Sequence, residues 1–321
     1  MVAVGGGTGL YQVLVGLKHY PVNLAAIVTM ADSGGSTGRL RQEFGMLPPG
    51  DIRRALLALS NLPISQKTLE RLFDFRFERG DQLKGHSIGN LLLAALTEIT
   101  GREDLAIKEA GKILDVSGYV YPVTMDKTNL VAVLENGKLI FGETNIDQRW
   151  QGRQDASTPI RRVFLSPEAK ITPDASQAIE KAHDIIIGPG DLYTSLLPNL
   201  VVSGVPEAIA RSKAKVFVII NLMTKPGETD GFTALKFVSE VKNYLGVAAD
   251  KVTHVVVNNS ALAKTPPKII SWYKKFKSEP VIDNLGPRSP EFQIIRGHLT
   301  DSGTFLRHDA KKLARTLARY L

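Results

Sequence analysis

The sequence predicts an α/β fold built on a mainly parallel sheet, and three observations carry that expectation. The first is Val2–Leu10, VAVGGGTGL, in which short apolar residues run into a glycine turn that opens a helix-like pattern. The second is a set of later β-branched runs, each ending in a polar turn that bears glycine or asparagine. Continuous apolar runs of this kind are what strands covered on both faces look like. The third is composition: 321 residues, 43% hydrophobic and 22% charged, enough for an ordinary globular core. No linker composition and no fixed-period repeat divides the chain, so one α/β domain over residues 1–321 is the economical reading.

Taken in order, Leu10, Val13, Leu14 and Leu17 predict a helix over residues 8–19, and Leu24–Met30 predicts the next buried strand. That strand ends in a second glycine-rich loop, residues 31–38. Residues 51–115 read as mostly helical, with one helix opening at Asp51 and another near Ser87. Residues 117–165 read as a β-rich excursion at the sheet's edge. It contains a hairpin at Asn136–Gly137 and a polar loop over about 146–157. The parallel pattern resumes at Asp184–Gly188, Val216–Ile220 and Val252–Val257, the last leading into Asn258, Asn259 and Ser260. Glu291–Ile295 and a basic amphipathic helix from about Asp309 close the chain.

The glycine turn at residues 5–9 sits between a strand and a helix, the context in which backbone N–H groups meet a phosphate. It is not the dinucleotide fingerprint, because the third glycine would fall at Leu10, and no Gly-Lys-Ser/Thr follows as in a P-loop. Asp32, at the end of the second strand, suits a ribose-binding acid, a metal ligand or a base. Gly34, Gly35 and Ser36 offer an anion nest. Asp51 reads either as an N-cap or as part of the site, and Arg53 or Arg54 could grip a phosphate. His86, in Gly85–Asn90 at a helix start, could act as an acid or base or be structural. Gly188 and Gly190, with Tyr193, Thr194 and Ser195, form a third anion-friendly loop, and Asn221 with residues 224–229 a fourth polar one.

Several classes are excluded. There is no cysteine, hence no disulfide, thiolate metal site or cysteine nucleophile, and a reducing compartment fits. No serine–histidine–carboxylate order stands out. The six histidines show no metal-ligand spacing. A Mg²⁺ held by Asp32 and Asp51 together with a diphosphate is compatible with the pattern. The chain starts close to the glycine turn, so no signal peptide is expected, and no apolar run reaches a membrane span. The net charge of +8 is spread out and little interleaved with aromatics. It points to an anionic small ligand ahead of nucleic acid.

The ordered set GGGTG (5–9), AD-x-GGS-x-GRLR (31–41), PPGDIR (48–53), GHS-x-GN (85–90), GPG-x-LYTSLLPNL (188–200), N-x-MT-x-PGET (221–229) and RHD (307–309) resembles the YvcK/CofD-like family. More narrowly it is similar to that family's bacterial YvcK branch, the gluconeogenesis factors. The resemblance implies a Rossmann-like three-layer sandwich in the cytoplasm that binds a UDP-sugar such as UDP-N-acetylglucosamine, without turnover and with no required cofactor. It also implies a link to cell shape and envelope synthesis during gluconeogenic growth, protein partners in that process, and a homodimer. The alternatives are a CofD-type transferase moving phospholactate to a deazaflavin with Mg²⁺, and an NAD-dependent oxidoreductase. By resemblance, phosphate contacts fall at Gly7, Thr8, Gly9 and Gly34–Ser36, base or sugar contacts near Asn221 and Thr224, and nucleotide-sugar contacts at Tyr273 and Arg307. Three positions depart from the branch: Ser33 stands where an Asp is usual, Asp191 where a small polar residue is usual, and Lys225 where a Gln is usual.

Overall fold

The computed structural model describes residues 1–63, 66–151, 157–259, 266–301 and 306–321. Ser260 and part of the expected 146–157 loop lie outside the described residues. Among the described residues the strands are β1 Val2–Gly5, β2 Ala25–Val28, β3 Tyr119–Pro122, β4 Asn129–Leu134, β5 Leu139–Phe141, β6 Ile160–Ser166, β7 Asp184–Ile187, β8 Lys215–Ile219, β9 Val252–Asn258, β10 Gln293–Gly297, β11 Thr300–Asp301 and β12 Arg307–His308. Seven of them form one sheet in the order β10-β9-β8-β7-β1-β2-β3. Every pairing within it is parallel. β1, β2 and β7 are buried along their whole length, as their unbroken apolar sequences require. Each fully buried Val, Leu or Ile contributes about 1.5–3 kcal/mol.

The chain winds outward from β1 in both directions, through β2 and β3 on one side and β7, β8, β9 and β10 on the other. With right-handed crossovers, that reversal puts the helices of the two halves on opposite faces. The first layer packs α1 (Gly7–Leu17) with α3 (Pro49–Leu59) and α13 (Ala310–Leu317). Around it stand α2 (Gly35–Phe44), α4 (Lys67–Asp74), α5 (Ile88–Thr100) and α6 (Glu103–Ile113). The second layer groups α8 (Pro173–Glu180), α9 (Leu197–Leu200), α10 (Val205–Arg211) and α11 (Ala234–Leu245). The order reverses between β1 and β7, so the turns leaving their C-terminal ends face a common crevice.

Of the stretch read as one β-rich excursion, Tyr119–Pro122 joins the main sheet as its edge strand beside β2. β4, β5 and β6 form a separate antiparallel sheet, and Gly137 (φ +82°) turns the expected hairpin. After β5 comes a short helix, α7 (Glu143–Asp147), in part of the span expected as loop. The second glycine-rich loop is also shorter than expected, since α2 begins at Gly35 and its residues 35–38 are helical. The last elements are α12 (Pro267–Lys275), whose residues are all at least partly exposed, and α13. The Asp309 carboxylate caps α13 by accepting from the Lys312 N–H at 2.9 Å. No described helix is long and apolar enough to cross a membrane.

Candidate functional site: a cleft at the sheet's switch point

The site is built where the β1 and β7 turns touch. Gly7 takes φ +61°, a conformation that glycine adopts at no steric cost. A Cβ on Gly9 would fall on the Pro189 carbonyl oxygen and lie 2.9 Å from the Gly190 N. Only glycine lets the first turn of α1 approach the 188–190 loop this closely. Asn221, at the end of β8, fixes that loop: its Nδ2 donates to the Gly190 O at 2.9 Å and its Oδ1 accepts from the Gly190 N–H at 3.3 Å. Gly188 (φ +83°) turns the chain behind the loop and does not line the cleft.

A polar cleft of about 560 Å³ opens over this junction. It gathers Gly7, Thr8, Gly9, Asp32, Gly34, Gly35, Ser36, Asp51, Asn90, Gly190, Thr194 and Ser195, so most of the residues proposed from sequence converge here. The N-termini of α1 and α2 both open onto it, without side-chain caps. The Gly7 N–H is taken by Asp51, but the following N–H groups of both helices and the helix macrodipoles favour an anion. Arg54 adds charge: its Nη1 lies 3.8 Å from where a Gly7 Cβ would stand, as does the Ser195 Oγ.

Beneath the cleft lies a buried network. The His86 Nδ1 and Ser36 Oγ are 2.9 Å apart, and the Asn90 Nδ2 donates to the Ser36 Oγ at 3.3 Å. The Arg53 Nε donates to the Asn90 Oδ1 at 3.1 Å, and its guanidinium pairs with Asp74. Ser87 caps α5 by accepting from the Asn90 N–H. His86 therefore does not reach the cleft but holds Ser36, and burial first, then Arg39, keeps its ring below the ordinary pKa. Asp51 is not an N-cap either. Its Oδ1 accepts from the Gly7 N–H at 2.9 Å and ties α3 to the glycine turn.

Burial, with the charge of Asp32, pushes Asp51 up to about 6, against the pull of the Gly7 N–H and of Arg54 and Arg53. Asp32 stabilises its own turn by accepting from the Gly34 N–H at 2.9 Å. Glu143 completes this acidic end of the cleft and is pushed to about 8 by burial and by the charges of Asp32 and Asp147. Among the described residues, no three His, Cys, Asp or Glu side chains gather to hold a metal ion.

The three departures from the branch pattern acquire physical roles. The Ser33 Oγ accepts from the Thr144 N–H at 3.1 Å and so anchors α7 to the β2 turn. The Lys225 Nζ pairs with Asp191 at 2.7 Å, with Glu228 at 2.7 Å, and with Asp147. Burial pulls Lys225 down, but the three carboxylates outweigh it and hold the ammonium well above the ordinary lysine value. Asp191 and Lys225 thus compensate one another, and the carboxylate beside the anion turn faces a cation.

On the other side of Thr8, Gly9 and Gly190, a second arm of about 580 Å³ has an aromatic wall of Trp150, Trp272, Tyr273 and Phe276. Trp272 and Phe276 lie 4.6 Å apart, and Trp150 meets Phe276 edge-on at 5.1 Å. Asn221, Thr224 and Arg307 also line this arm. Thr224 is largely committed, its Oγ1 accepting from the Glu279 N–H at 2.9 Å. Arg307 arrives because α13 packs on α1: a Cβ on Gly16 would lie 2.9 Å from the Ala314 Cβ. Trp150, Trp272, Phe276 and Glu143 were not anticipated. The one available signal was the i, i+4 spacing of Trp272 and Phe276 within a lysine-rich segment.

Fold and site together define a doubly wound α/β protein with an anion-directed cleft at its topological switch point. A family model described as 2-phospho-L-lactate transferase CofD matches residues 1–300. The gluconeogenesis factor of Halalkalibacterium halodurans is 42% identical over 99% of this chain and 95% of its own length. That of Bacillus subtilis is 41% identical over 99% of this chain and 96% of its own. A crystal structure of protein BH3568 from Bacillus halodurans superimposes with a TM-score of 0.90 at 42% identity, covering 99% of this chain and 98% of that one. The chain belongs to the CofD-like family, within its YvcK branch of gluconeogenesis factors.

Proposed function

We propose that the cleft binds a nucleotide sugar of the UDP-N-acetylglucosamine type. In this reading the protein is a cytoplasmic, non-catalytic regulator of cell shape and envelope synthesis during gluconeogenic growth. The observation that carries the reading is the junction at Thr8, where an aromatic wall meets the open N-terminus of α1 beside Arg307. A uracil ring suits the wall formed by Trp272 and Tyr273, and a diphosphate suits the Thr8 and Gly9 N–H groups. The neutral, hydroxyl-rich sugar suits the polar arm with Asp32, Ser36 and Asn90. The names of the relatives support the gluconeogenic setting. Asp32 and Asp51 offer the hard oxygen donors that Mg²⁺ prefers, and the diphosphate itself would supply further ones.

Thermal unfolding with and without ligand tests the proposal. At a UDP-N-acetylglucosamine concentration of 100 Kd the folded state gains about 2.7 kcal/mol, which raises Tm by a few degrees. Arg307→Ala should abolish the shift while leaving the ligand-free Tm close to wild type. No shift with any UDP-sugar would contradict the reading. Transfer of phospholactate to a deazaflavin would replace it with the transferase alternative.

A further inference from the structure

A third arm of about 620 Å³ leaves the same junction on the side of α3 and α4. It shares Thr8 with the other two arms, Arg53, Arg54 and Arg76 with the polar arm, and Gln12 and Arg307 with the aromatic arm, while Tyr11, Leu57 and Arg71 belong to it alone. Its charge is one-sided. Arg53, Arg54, Arg71, Arg76 and Arg307 line it. Arg53 is spent on Asp74 and Asn90 and one Arg76 donor on the Gly85 carbonyl, so the charge comes chiefly from Arg54, Arg71 and Arg307, and the two carboxylates present are already engaged. Asp74 pairs with Arg53, while Glu70 takes the Lys67 ammonium at 2.7 Å and the Ser60 hydroxyl at 2.9 Å. Among the described residues Arg71 makes no hydrogen bond or ion pair, and Arg54 none beyond its electrostatic pull on Asp51. Planar guanidinium forks in this arrangement match a phosphate in bidentate fashion.

A nucleotide sugar laid as proposed above occupies the aromatic and polar arms and leaves open the part of this one around Tyr11, Leu57 and Arg71. Arg71 stands on α4, outside both of those arms. We infer that the arginine-lined arm is a second anion site, which takes a phosphate-bearing small molecule alongside the nucleotide sugar. The inference rests on the nucleotide-sugar reading for the word "second", but the site itself does not depend on it. Thr8, Arg53, Arg54, Arg76 and Arg307 border both sites, so occupancy of one is felt at the other, and Arg71 is the arginine that belongs to the second site alone.

The test is a titration of inorganic phosphate into protein saturated with UDP-N-acetylglucosamine, followed by NMR at the arginine side-chain Nε–H groups. The expected result is one saturable event that moves the Arg71 and Arg76 signals. Arg71→Glu, an exposed change on α4 that breaks no described bond, should weaken phosphate at least about tenfold, as loss of a charge-assisted hydrogen bond does. It should leave UDP-N-acetylglucosamine affinity within about twofold, because no nucleotide contact is removed. Shifts that never saturate, phosphate that merely displaces the nucleotide sugar, or an unaffected Arg71→Glu variant would each overturn the inference. If UDP-N-acetylglucosamine itself fails to bind, the function proposed above falls. The ligand-free protein then decides this inference separately: a phosphate site sensitive to Arg71→Glu upholds it, and its absence overturns it.

Discussion

At the scale of single residues, the cleft is held by buried polar groups whose partners are specific. Lys225 is the clearest case, since one ammonium serves Asp147, Asp191 and the fully buried Glu228. Removing one partner of a buried charge set is far costlier than losing an exposed pair. Lys225→Met should therefore lower stability by about 3 kcal/mol or more in urea unfolding, and Asp191→Asn in the same chain should recover part of it. Strict additivity of the two changes would show that they are not coupled. His308, beside Arg307, gives a pH signature. Burial pulls its imidazole down to about 4, against a contact with the Ile220 backbone that raises it. The unfolded chain binds the proton near pH 6.5, so between these values the unfolded state holds more protons and stability rises with pH. The contribution is complete above about pH 6.5 and lost as pH falls toward 4, worth up to about 3 kcal/mol. His308→Gln should flatten the difference between urea midpoints at pH 4.5 and pH 7, and parallel wild-type and variant curves would refute that assignment.

At the scale of elements, the site depends on turns meeting across the switch point. Gly9→Ala places a methyl group on the Pro189 carbonyl and must push the α1 turn away from the 188–190 loop. Its expected effect is loss of the UDP-sugar thermal shift together with a lower ligand-free Tm, which scanning calorimetry reads directly. The parallel strands were legible in the sequence because their β-branched runs are buried on both faces, and the glycine turn was legible because it joins a strand to a helix. Other features were hidden for physical reasons. Asp51 has the residue type and position of a helix cap, and only the tertiary fold brings the Gly7 N–H to its carboxylate. Gly35–Gly38 look like loop, yet α2 begins there directly after an extended Gly34 that carries no side-chain cap to mark the start. Most of the aromatic wall lies in α12 and the residue after it, where Lys274, Lys275 and Lys277 give the appearance of a solvated basic face, and Trp150 joins it from beyond α7.

At the scale of the whole molecule, the cleft is assembled from parts far apart in the chain. The turns after β1 and β7 supply the floor, α7 after the small sheet's β5 supplies Glu143, Thr144 and Asp147, and the C-terminal segment supplies Arg307. Such a site couples the small sheet to the main one through the Ser33–Thr144 and Lys225–Asp147 contacts. Ligand binding should slow hydrogen exchange at residues 7–12 and at α7 together, while the β4–β5 turn at Gly137 stays unchanged. Protection confined to residues 7–12 would mean that α7 takes no part. Sequence alone could nominate the loops, but not which of them share a wall, because that depends on the strand order. The central claim is that the switch-point junction holds a nucleotide sugar, and a crystal structure of the complex with UDP-N-acetylglucosamine tests it most directly. The diphosphate is expected on the Thr8 and Gly9 N–H groups, the uracil against Trp272 and Tyr273, and the sugar directed toward Asn90. A diphosphate bound away from the α1 N-terminus, or a uracil outside the aromatic arm, would contradict it.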